Sequence, residues 1–155
     1  MRNKIQNIII RKANIADVDT IANFNMAMAK ETEGINLCAK TLKSGVKSVF
    51  EDENRGFYIV AECDSKVVGQ LLITFEWSDW RNGVFWWIQS VYVEPGYRQN
   101  GVFKSLFEHL RNLADNIPDV VGFRLYVHKN NYIARKTYEK LGMSGLRYDI
   151  YETSF

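Results

Sequence analysis

The residues best suited to chemistry lie in a loop that joins an apolar strand to an amphipathic helix. The segment Ser90–Leu106 reads SVYVEPGYRQNGVFKSL. The first backbone N–H groups of a helix lack intrahelical partners and lie at its positive end, so such a loop can bind an anion. Arg98 and Lys104 add positive charge. The segment therefore predicts an anion site, although an ordinary strand-to-helix turn containing Gly101 explains the same letters.

A second group of reactive side chains lies in the block EWSDWRNGVFWW. Carboxylates and ring faces could hold a cationic amine there, each cation–ring contact contributing roughly 0.5–2 kcal/mol. Glu76 is our first candidate for a general base, and an exposed strand residue is an equally good interpretation of it. The other candidate bases are Asp79, Glu31 and Glu33. The candidate acceptor-binding residues are Glu31, Asp79 and Trp80. A hydrophobic hairpin or a dimer contact is the alternative, and we prefer it for Trp86 and Trp87.

Several other chemistries find no support in the sequence. The phosphate motifs GxxxxGK[ST] and GxGxxG are absent, which argues against nucleotide hydrolysis and hydride transfer. There is no GxSxG motif for a nucleophilic serine. Cys38 and Cys63 form no CxxC pattern, so we expect neither a disulfide framework nor a metal site.

Length and charge place these residues in an ordinary globular chain. The 155 residues predict a single domain, 1–155. The formal net charge is +2, with no run of basic residues, so we expect no nucleic-acid partner. The sequence shows neither a signal peptide nor a membrane span, and we therefore expect a cytoplasmic protein that does not bind membranes. Aromatic residues make up 14% of the chain, and some of these rings should line a pocket.

Periodicity and turn signals predict the elements that position the two groups of residues. Asn14 can cap a first helix, and the Asn82–Gly83 turn makes its flanking strands antiparallel neighbours. The predicted strands are Ile8–Arg11, Phe57–Cys63, Lys66–Trp77, Val84–Val93, Phe123–His128 and Leu146–Glu152. The other predicted helices lie near Leu42–Phe50, over Phe103–Ala114 and after Asn131, the last ending at Gly142. The order predicts an α/β fold of the α+β type, a mixed sheet with flanking helices and one strand–helix–strand crossover.

Two segments carry a family resemblance. RQNGVF resembles the Arg/Gln-x-x-Gly-x-Gly/Ala signature of the GNAT N-acetyltransferase family, and NYIARKTYEKLGM is similar to that family's second segment. The order of elements also matches, so the resemblance covers essentially the whole chain. It implies the GNAT fold, with a mostly antiparallel sheet and splayed strands. It also implies acetyl-CoA as co-substrate, no metal, and direct attack of a primary amine on the thioester.

The resemblance also implies residue roles. Backbone groups of Val91, Tyr92 and Val93 would hold the pantetheine arm, and Asn131 would contact that arm. Tyr138 would be the general acid at the sulfur, whereas a core residue on an amphipathic helix is the alternative interpretation. The residues that would surround the pyrophosphate are Arg98, Gln99, Asn100, Gly101, Val102, Phe103 and Lys104.

Three positions depart from the family pattern. Phe103 stands where the signature ends in a small residue, which adds bulk beside the phosphates. Tyr126 stands where some members that acetylate protein amino termini carry a catalytic Glu, which argues against that acceptor class. Met143 replaces an aromatic residue, a mild change.

Proton transfer constrains the reaction. An amine of pKa near 10.4 is neutral in only about one part in 2,500 at pH 7, so a base or a lowered pKa must help. Transfer of a proton from an unshifted tyrosine to a thiolate is uphill by about 2 kcal/mol. Tyr138 would therefore act as a hydrogen-bond donor or as a tyrosine with a lowered pKa.

The identity of the acceptor stays open at this stage. We expect a small-molecule or peptide amine, and a homodimer is compatible with the aromatic content. Two alternatives to the enzyme remain: a CoA-binding regulatory or interaction module of the same fold, and a structural domain whose loop binds no CoA.

Overall fold

The computed structural model describes residues 7–155 of the chain. The chain divides into two compact units, the first ending at Leu125 and the second spanning Tyr126–Phe155. The sheet and three helices belong to the first unit, and one helix belongs to the second. A single domain over the whole chain stays a prediction.

The first unit is built on a five-stranded sheet whose strands follow chain order. Neighbours are antiparallel from β1 to β4, and β5 runs parallel to β4. The predicted mixed, mostly antiparallel sheet is confirmed. The strands are β1 Ile8–Lys12, β2 Phe57–Cys63, β3 Lys66–Ser78, β4 Gly83–Val93 and β5 Val120–Leu125. The helices are α1 Val18–Glu33, α2 Ala39–Glu51, α3 Val102–Asp115 and, in the second unit, α4 Tyr132–Lys140.

Two turns set the register of the central strands. Asp64 and Ser65 both have positive φ, 49° and 62°, which matches the right-handed twist of the strands they join. Asn82 also has positive φ, at 48°, before β4 begins. Strands β3 and β4 then pair along their length, with Phe75 opposite Trp86. The antiparallel pairing predicted from Asn-Gly is therefore confirmed.

Helix α3 makes the crossover between the parallel strands β4 and β5. Its apolar face is buried, and the ring of Phe107 meets Phe123 of β5 edge-on at 5.6 Å. At the other end of the helix, Val102 packs so closely on β3 that a Cβ atom at Gly69 would lie 2.9 Å from its Cγ1. The absence of a side chain at Gly69 thus lets the first turn of α3 pack against the sheet.

Helix α1 is held at its start by a charged cluster. Asn14 and Asp17 form a capping box. The side chain of Asn14 accepts a hydrogen bond from the backbone N–H of Ala16, and the carboxylate of Asp17 accepts one from the backbone N–H of Asn14. The carboxylate of Asp17 also accepts two hydrogen bonds from Arg11 of β1, at 2.8 and 2.9 Å. The cap predicted at Asn14 is confirmed, and the ion pair ties the helix to the edge of the sheet.

Two strand predictions were wrong. Strand β5 spans Val120–Leu125 rather than Phe123–His128. It begins earlier than predicted because Val120 and Gly122 pair with Val84 and Phe85 of β4, and the ring of Phe85 lies 2.8 Å from the position that a Cβ atom at Gly122 would take. Residues Leu146–Glu152 form no strand. Their alternating apolar pattern specifies which side chains share a face, but it does not supply a pairing strand.

The Asp17 cluster makes a testable contribution to stability. Asp17→Asn should lower the free energy of unfolding by about 2 kcal/mol at pH 7, because charged hydrogen bonds to a buried carboxylate are lost. The hydrogen bonds from Arg11 hold the pKa of Asp17 below its ordinary 3.8 despite burial. Its stabilisation is therefore full above pH 3.8 and is lost as the pH falls through the lowered value. Urea unfolding at pH 7 and pH 3 measures both effects.

The control variant is Asp19→Asn. Asp19 lies on the exposed surface of α1, and its carboxylate pairs with Lys43 of α2. Surface pairs contribute about 0–1 kcal/mol, so this variant should stay close to the wild type. Equal losses in the two variants would contradict the assigned role of Asp17.

Candidate functional site

Strand β4 contains a bulge at Ser90. Its pairing with β3 shifts register between Gln70 and Leu72, so that Ser90 and Val91 lie opposite Leu71 alone. Ser90 has a φ of +50°, which is uncommon for a residue other than glycine. A bulge bends the strand and changes the direction of the residues that follow. The bulge thus sets the orientation of Tyr92 and Val93.

Beyond the bulge, β4 has a neighbour on one side only. Its pairing with β5 ends at Ile88 and Leu125, whereas its pairing with β3 continues to Val93 and Gly69. Within the first unit, no strand pairs with the other side of the segment from Gln89 to Val93. The unpaired backbone groups of a strand edge can hydrogen-bond an extended ligand. The predicted splay of the strands is present here.

The loop after β4 ends at an open helix N-terminus. Gln99 and Gly101 both have left-handed φ values, 62° and 81°, and Gly101 is the N-cap residue of α3. Gly101 has no side chain to cap the helix, and no atom lies within 4 Å of the Cβ position there. The N–H groups of the first turn thus face an open approach at the positive end of the helix. This arrangement fits the predicted anion site.

The charged side chains near this helix end are already paired. Arg98 donates from Nη2 to Glu31 Oε2 at 2.7 Å and from Nε to the carbonyl of Val93 at 2.7 Å. Its guanidinium lies over the ring of Tyr92, whose hydroxyl donates to Glu31 Oε1 at 3.2 Å. Burial and the charge of Glu31 raise the pKa of Tyr92. Arg98 and Glu31 thus connect the loop to the C-terminal end of α1.

The predicted substrate residue Glu31 therefore lies beside the predicted cofactor loop rather than beside Asp79. Lys104 pairs with Glu108 on the exposed surface of α3 at 3.6 Å. Asn100 donates from its side chain to the carbonyl of Arg98 at 2.9 Å, which stabilises the loop. The ring of Phe103 lies beside Phe107, 6.3 Å between centroids, so its bulk extends along the helix.

Glu76 of β3, the predicted base, accepts hydrogen bonds from one side chain of β4 and one of β5. Arg124 Nη1 donates to both of its oxygens, at 2.8 and 3.1 Å, and the indole N–H of Trp87 donates to Oε2. The guanidinium of Arg124 also lies 3.8 Å from the ring centre of Phe85. Sequence reasoning missed Arg124. The arginine in the otherwise apolar strand VVGFRL was a signal that a carboxylate lies within reach of its side chain.

The other residues of the aromatic block lie in two different environments. Trp80 is 88% exposed at the tip of the β3–β4 hairpin, where Asp79 accepts its backbone N–H. Trp86 is only 4% exposed and stacks on Phe123. The core interpretation therefore fits Trp86, and Trp80 remains open to solvent or to a ligand.

The second unit carries the remaining predicted site residues. Asn131 caps α4 through its side-chain oxygen, which accepts the N–H of Ala134 at 3.1 Å. Tyr138 is half-buried on the same helix. Burial raises the pKa of Tyr138, so its phenol stays protonated at neutral pH.

Residues 7–155 offer neither a metal site nor a membrane-spanning helix. No group of three or more His, Cys, Asp or Glu side chains could hold a metal ion. None of the helices in this part of the chain is both long enough and apolar enough to span a bilayer.

Comparison with known proteins identifies the family. Residues 23–143 match the model of the acetyltransferase (GNAT) family, and the chain belongs to that family. The resemblance carried by RQNGVF is thereby confirmed. The protein is thus of the acetyltransferase class, whose acetyl donor is acetyl-CoA. No curated protein matches the chain.

Solved structures agree with this assignment. A possible acetyltransferase from Clostridium difficile 630 is 49% identical, with a TM-score of 0.88, and the match covers 97% of this chain and 99% of that one. A predicted acetyltransferase with acetyl-CoA from Clostridium acetobutylicum is 21% identical, with a TM-score of 0.77 and coverage of 95% and 96%. A ribosomal-protein-alanine N-acetyltransferase from Brucella melitensis biovar Abortus 2308 is 16% identical, with a TM-score of 0.76 and coverage of 96% and 99%. At these lower identities the last two share the fold.

Proposed function

We propose that this protein is an acetyl-CoA-dependent N-acetyltransferase that acetylates a primary amine on a small molecule or peptide. One observation carries the proposal: the one-sided edge of β4 leads directly into the open N-terminus of α3. A strand edge suits the amides of a pantetheine arm, and a helix N-terminus suits a pyrophosphate. Family membership and the Clostridium acetobutylicum structure with acetyl-CoA support the choice of co-substrate.

The cofactor-binding residues in this proposal are mostly backbone contributors. Backbone groups of Val91, Tyr92 and Val93 hold the pantetheine arm, and those of Gln99–Lys104 surround the pyrophosphate. Asn131 contacts the arm. The open space at Gly101 supports this fit because phosphate oxygens can approach the helix end without meeting a side chain.

The proposed acetyl transfer needs a hydrogen-bond donor at the leaving sulfur, for which we propose Tyr138, and an acceptor for the proton of the amine. When bound, acetyl-CoA supplies a thioester carbonyl that a neutral amine attacks, so that the amide C–N bond forms and the C–S bond breaks. Tyr138 donates a hydrogen bond to the departing sulfur while negative charge develops there. Its raised pKa argues against the lowered-pKa alternative and favours the hydrogen-bond role. The proton that the amine releases passes to Glu76, and the departing thiolate takes up one proton from solvent, so that the numbers of protons lost and gained are equal.

Glu76 is the proposed acceptor of the amine proton, directly or through water. A carboxylate has about four lone-pair sites. Its contacts with Arg124 and Trp87 occupy three of them, which leaves one site for a water or an amine. Trp80 and Asp79 at the hairpin tip, together with Glu31, are the proposed acceptor-binding side chains. A cytoplasmic location and a homodimer remain predictions from the sequence.

Acetyl-CoA binding is the first test, measured as a shift in thermal unfolding. A ligand at about 100 times its Kd adds roughly 2.7 kcal/mol to stability, so the wild-type midpoint should rise clearly. Gly101→Asp and Gly101→Asn form a matched pair, because both side chains tolerate a left-handed backbone and have the same shape. We expect Asp to abolish most of the shift by repelling phosphate, and Asn to retain it.

The outcomes separate the hypotheses. Equal shifts for the two Gly101 variants would place the anion elsewhere. A wild-type shift without thiol release over a broad panel of amines would favour a non-catalytic CoA-binding module. No shift at millimolar acetyl-CoA would contradict both CoA-based functions.

Tyr138→Phe tests the hydrogen-bond donor. Removal of the hydroxyl should lower kcat by about 10²-fold, because the departing sulfur loses its donor, and should leave the Kd for acetyl-CoA nearly unchanged. Thiol release gives kcat, and isothermal titration gives the Kd. Unaltered turnover would mean that Tyr138 is only a packing residue.

Glu76→Gln tests the base. The change keeps the shape of the side chain but removes its proton affinity, so kcat should fall by about 10²-fold while the Kd for acetyl-CoA stays nearly unchanged. Glu51→Gln is the control, since Glu51 pairs with Lys47 on the exposed surface of α2. A Glu76 variant that keeps the wild-type kcat would assign the carboxylate to structure alone.

A further inference from the structure

We infer that Gln70, a buried residue of β3, is a positioning residue that holds the β4 bulge in the orientation needed to bind the pantetheine arm. The inference rests on the proposed function, because it concerns the same cofactor site. The backbone of Gln70 lies opposite Tyr92 in the β3–β4 ladder, and its side chain reaches the bulge through the carbonyl of Ser90. The composition and motifs of the sequence gave no indication of this role.

The contact itself is specific. The side chain of Gln70 is fully buried, with 0% exposure. Its Nε2 donates to the carbonyl oxygen of Ser90 at 3.1 Å and to Asn25 Oδ1 at 2.7 Å. An extra residue in a bulge is left out of the ladder of hydrogen bonds. The amide of Gln70 therefore supplies the Ser90 carbonyl with a donor at the point where the backbone has a φ of +50°.

The orientation of the amide follows from its partners. The Ser90 carbonyl can only accept a hydrogen bond, so Nε2 rather than Oε1 must face it. As a result, Oε1 of Gln70 is buried without a hydrogen-bond partner among residues 7–155. Buried polar atoms in native proteins are nearly always paired, because an unpaired one destabilises the fold. An apolar side chain would avoid this penalty, but it would leave the Ser90 carbonyl and Asn25 Oδ1 without the donor that Gln70 supplies, so the glutamine here serves these two acceptors.

The same contact joins the bulge to α1. Asn25 is buried on α1, one residue after Phe24, whose ring lies 5.0 Å from that of Tyr92. Further along α1, Glu31 holds Arg98 of the helix-entry loop. Helix α1 therefore contacts both ends of the segment from Ser90 to Arg98. Gln70 is the link at the strand end.

The experiment compares Gln70→Met with Ile73→Val. Methionine keeps the length and burial of the side chain but has no N–H donor. Ile73 is equally buried on the same strand, and it makes no contact with Ser90. The readouts are hydrogen exchange of the Ser90–Val93 amides in the protein without ligand, the Kd for CoA by titration calorimetry, and the unfolding midpoint.

We expect Gln70→Met to exchange faster at these amides and to bind CoA about tenfold more weakly, the equivalent of one lost hydrogen bond to the site. Its unfolding midpoint should also fall, because the Ser90 carbonyl and Asn25 Oδ1 lose their donor. Ile73→Val should lower the midpoint through lost packing while it leaves the exchange and the Kd at wild-type values. Asn25→Ala, which keeps the Gln70–Ser90 bond, should weaken CoA binding less than Gln70→Met.

Other results overturn the inference. Wild-type affinity and exchange in Gln70→Met would show that the bulge holds itself. Equal losses of affinity in Gln70→Met and Ile73→Val would reduce Gln70 to a packing residue. If Gln70→Met does not fold, an Asn25→Ala variant with unchanged exchange and affinity supports the assignment to Ser90, whereas a full loss overturns it. A wild-type protein that binds no CoA fails the proposed function before any variant is compared, and the inference fails with it.

Discussion

The arrangement of the site depends on the two strands that flank β4, because their pairing with β4 ends at different residues. Strand β3 stays paired to Val93, whereas β5 separates after Ile88. One edge of β4 is therefore open over the few residues that precede the α3 loop, while its other edge is fixed by a long antiparallel ladder. Helix α3 connects β4 to β5, and its Phe107 packs on Phe123 of β5. This contact holds β5 beside β4 near Phe123, shortly before the pairing of the two strands ends at Leu125. A rigid sheet thus presents an unpaired strand edge beside a helix N-terminus.

Two interactions from α1 hold this edge in position, and neither is local in sequence. Glu31 binds Arg98, 67 residues away, and Asn25 binds Gln70, 45 residues away. Helix α1 is itself held to the sheet by the Arg11–Asp17 pair. The bent segment of β4 is therefore supported from both its ends by one helix. A strained φ at Ser90 persists when its surroundings fix it in this way.

What could be predicted from the sequence was governed by local rules. The Asn82–Gly83 turn, the Asn14 cap and the periodicity of α3 depend on neighbouring residues, and the structure confirms all three. RQNGVF pointed to the family because it resembles the family signature, and its Gly101 takes a left-handed backbone at the start of α3. The partners of Glu76, Arg98 and Gln70 could not be predicted, since each depends on which strands or helices become neighbours. Leu146–Glu152 failed for the same reason, because periodicity does not choose a pairing partner.

The backbone character of the proposed anion site explains why the net charge of the chain gives little indication of it. Arg98 of the loop is paired with Glu31, and Lys104 in the first turn of α3 is paired with Glu108. Carboxylates therefore largely balance both of these positive charges. The attraction for a phosphate must then come chiefly from oriented backbone N–H groups and the positive end of α3. Such a site needs no excess of Lys or Arg, and it is compatible with a net charge of only +2. It does need a residue with little bulk and a left-handed φ at the helix start, which is the combination that Gly101 provides.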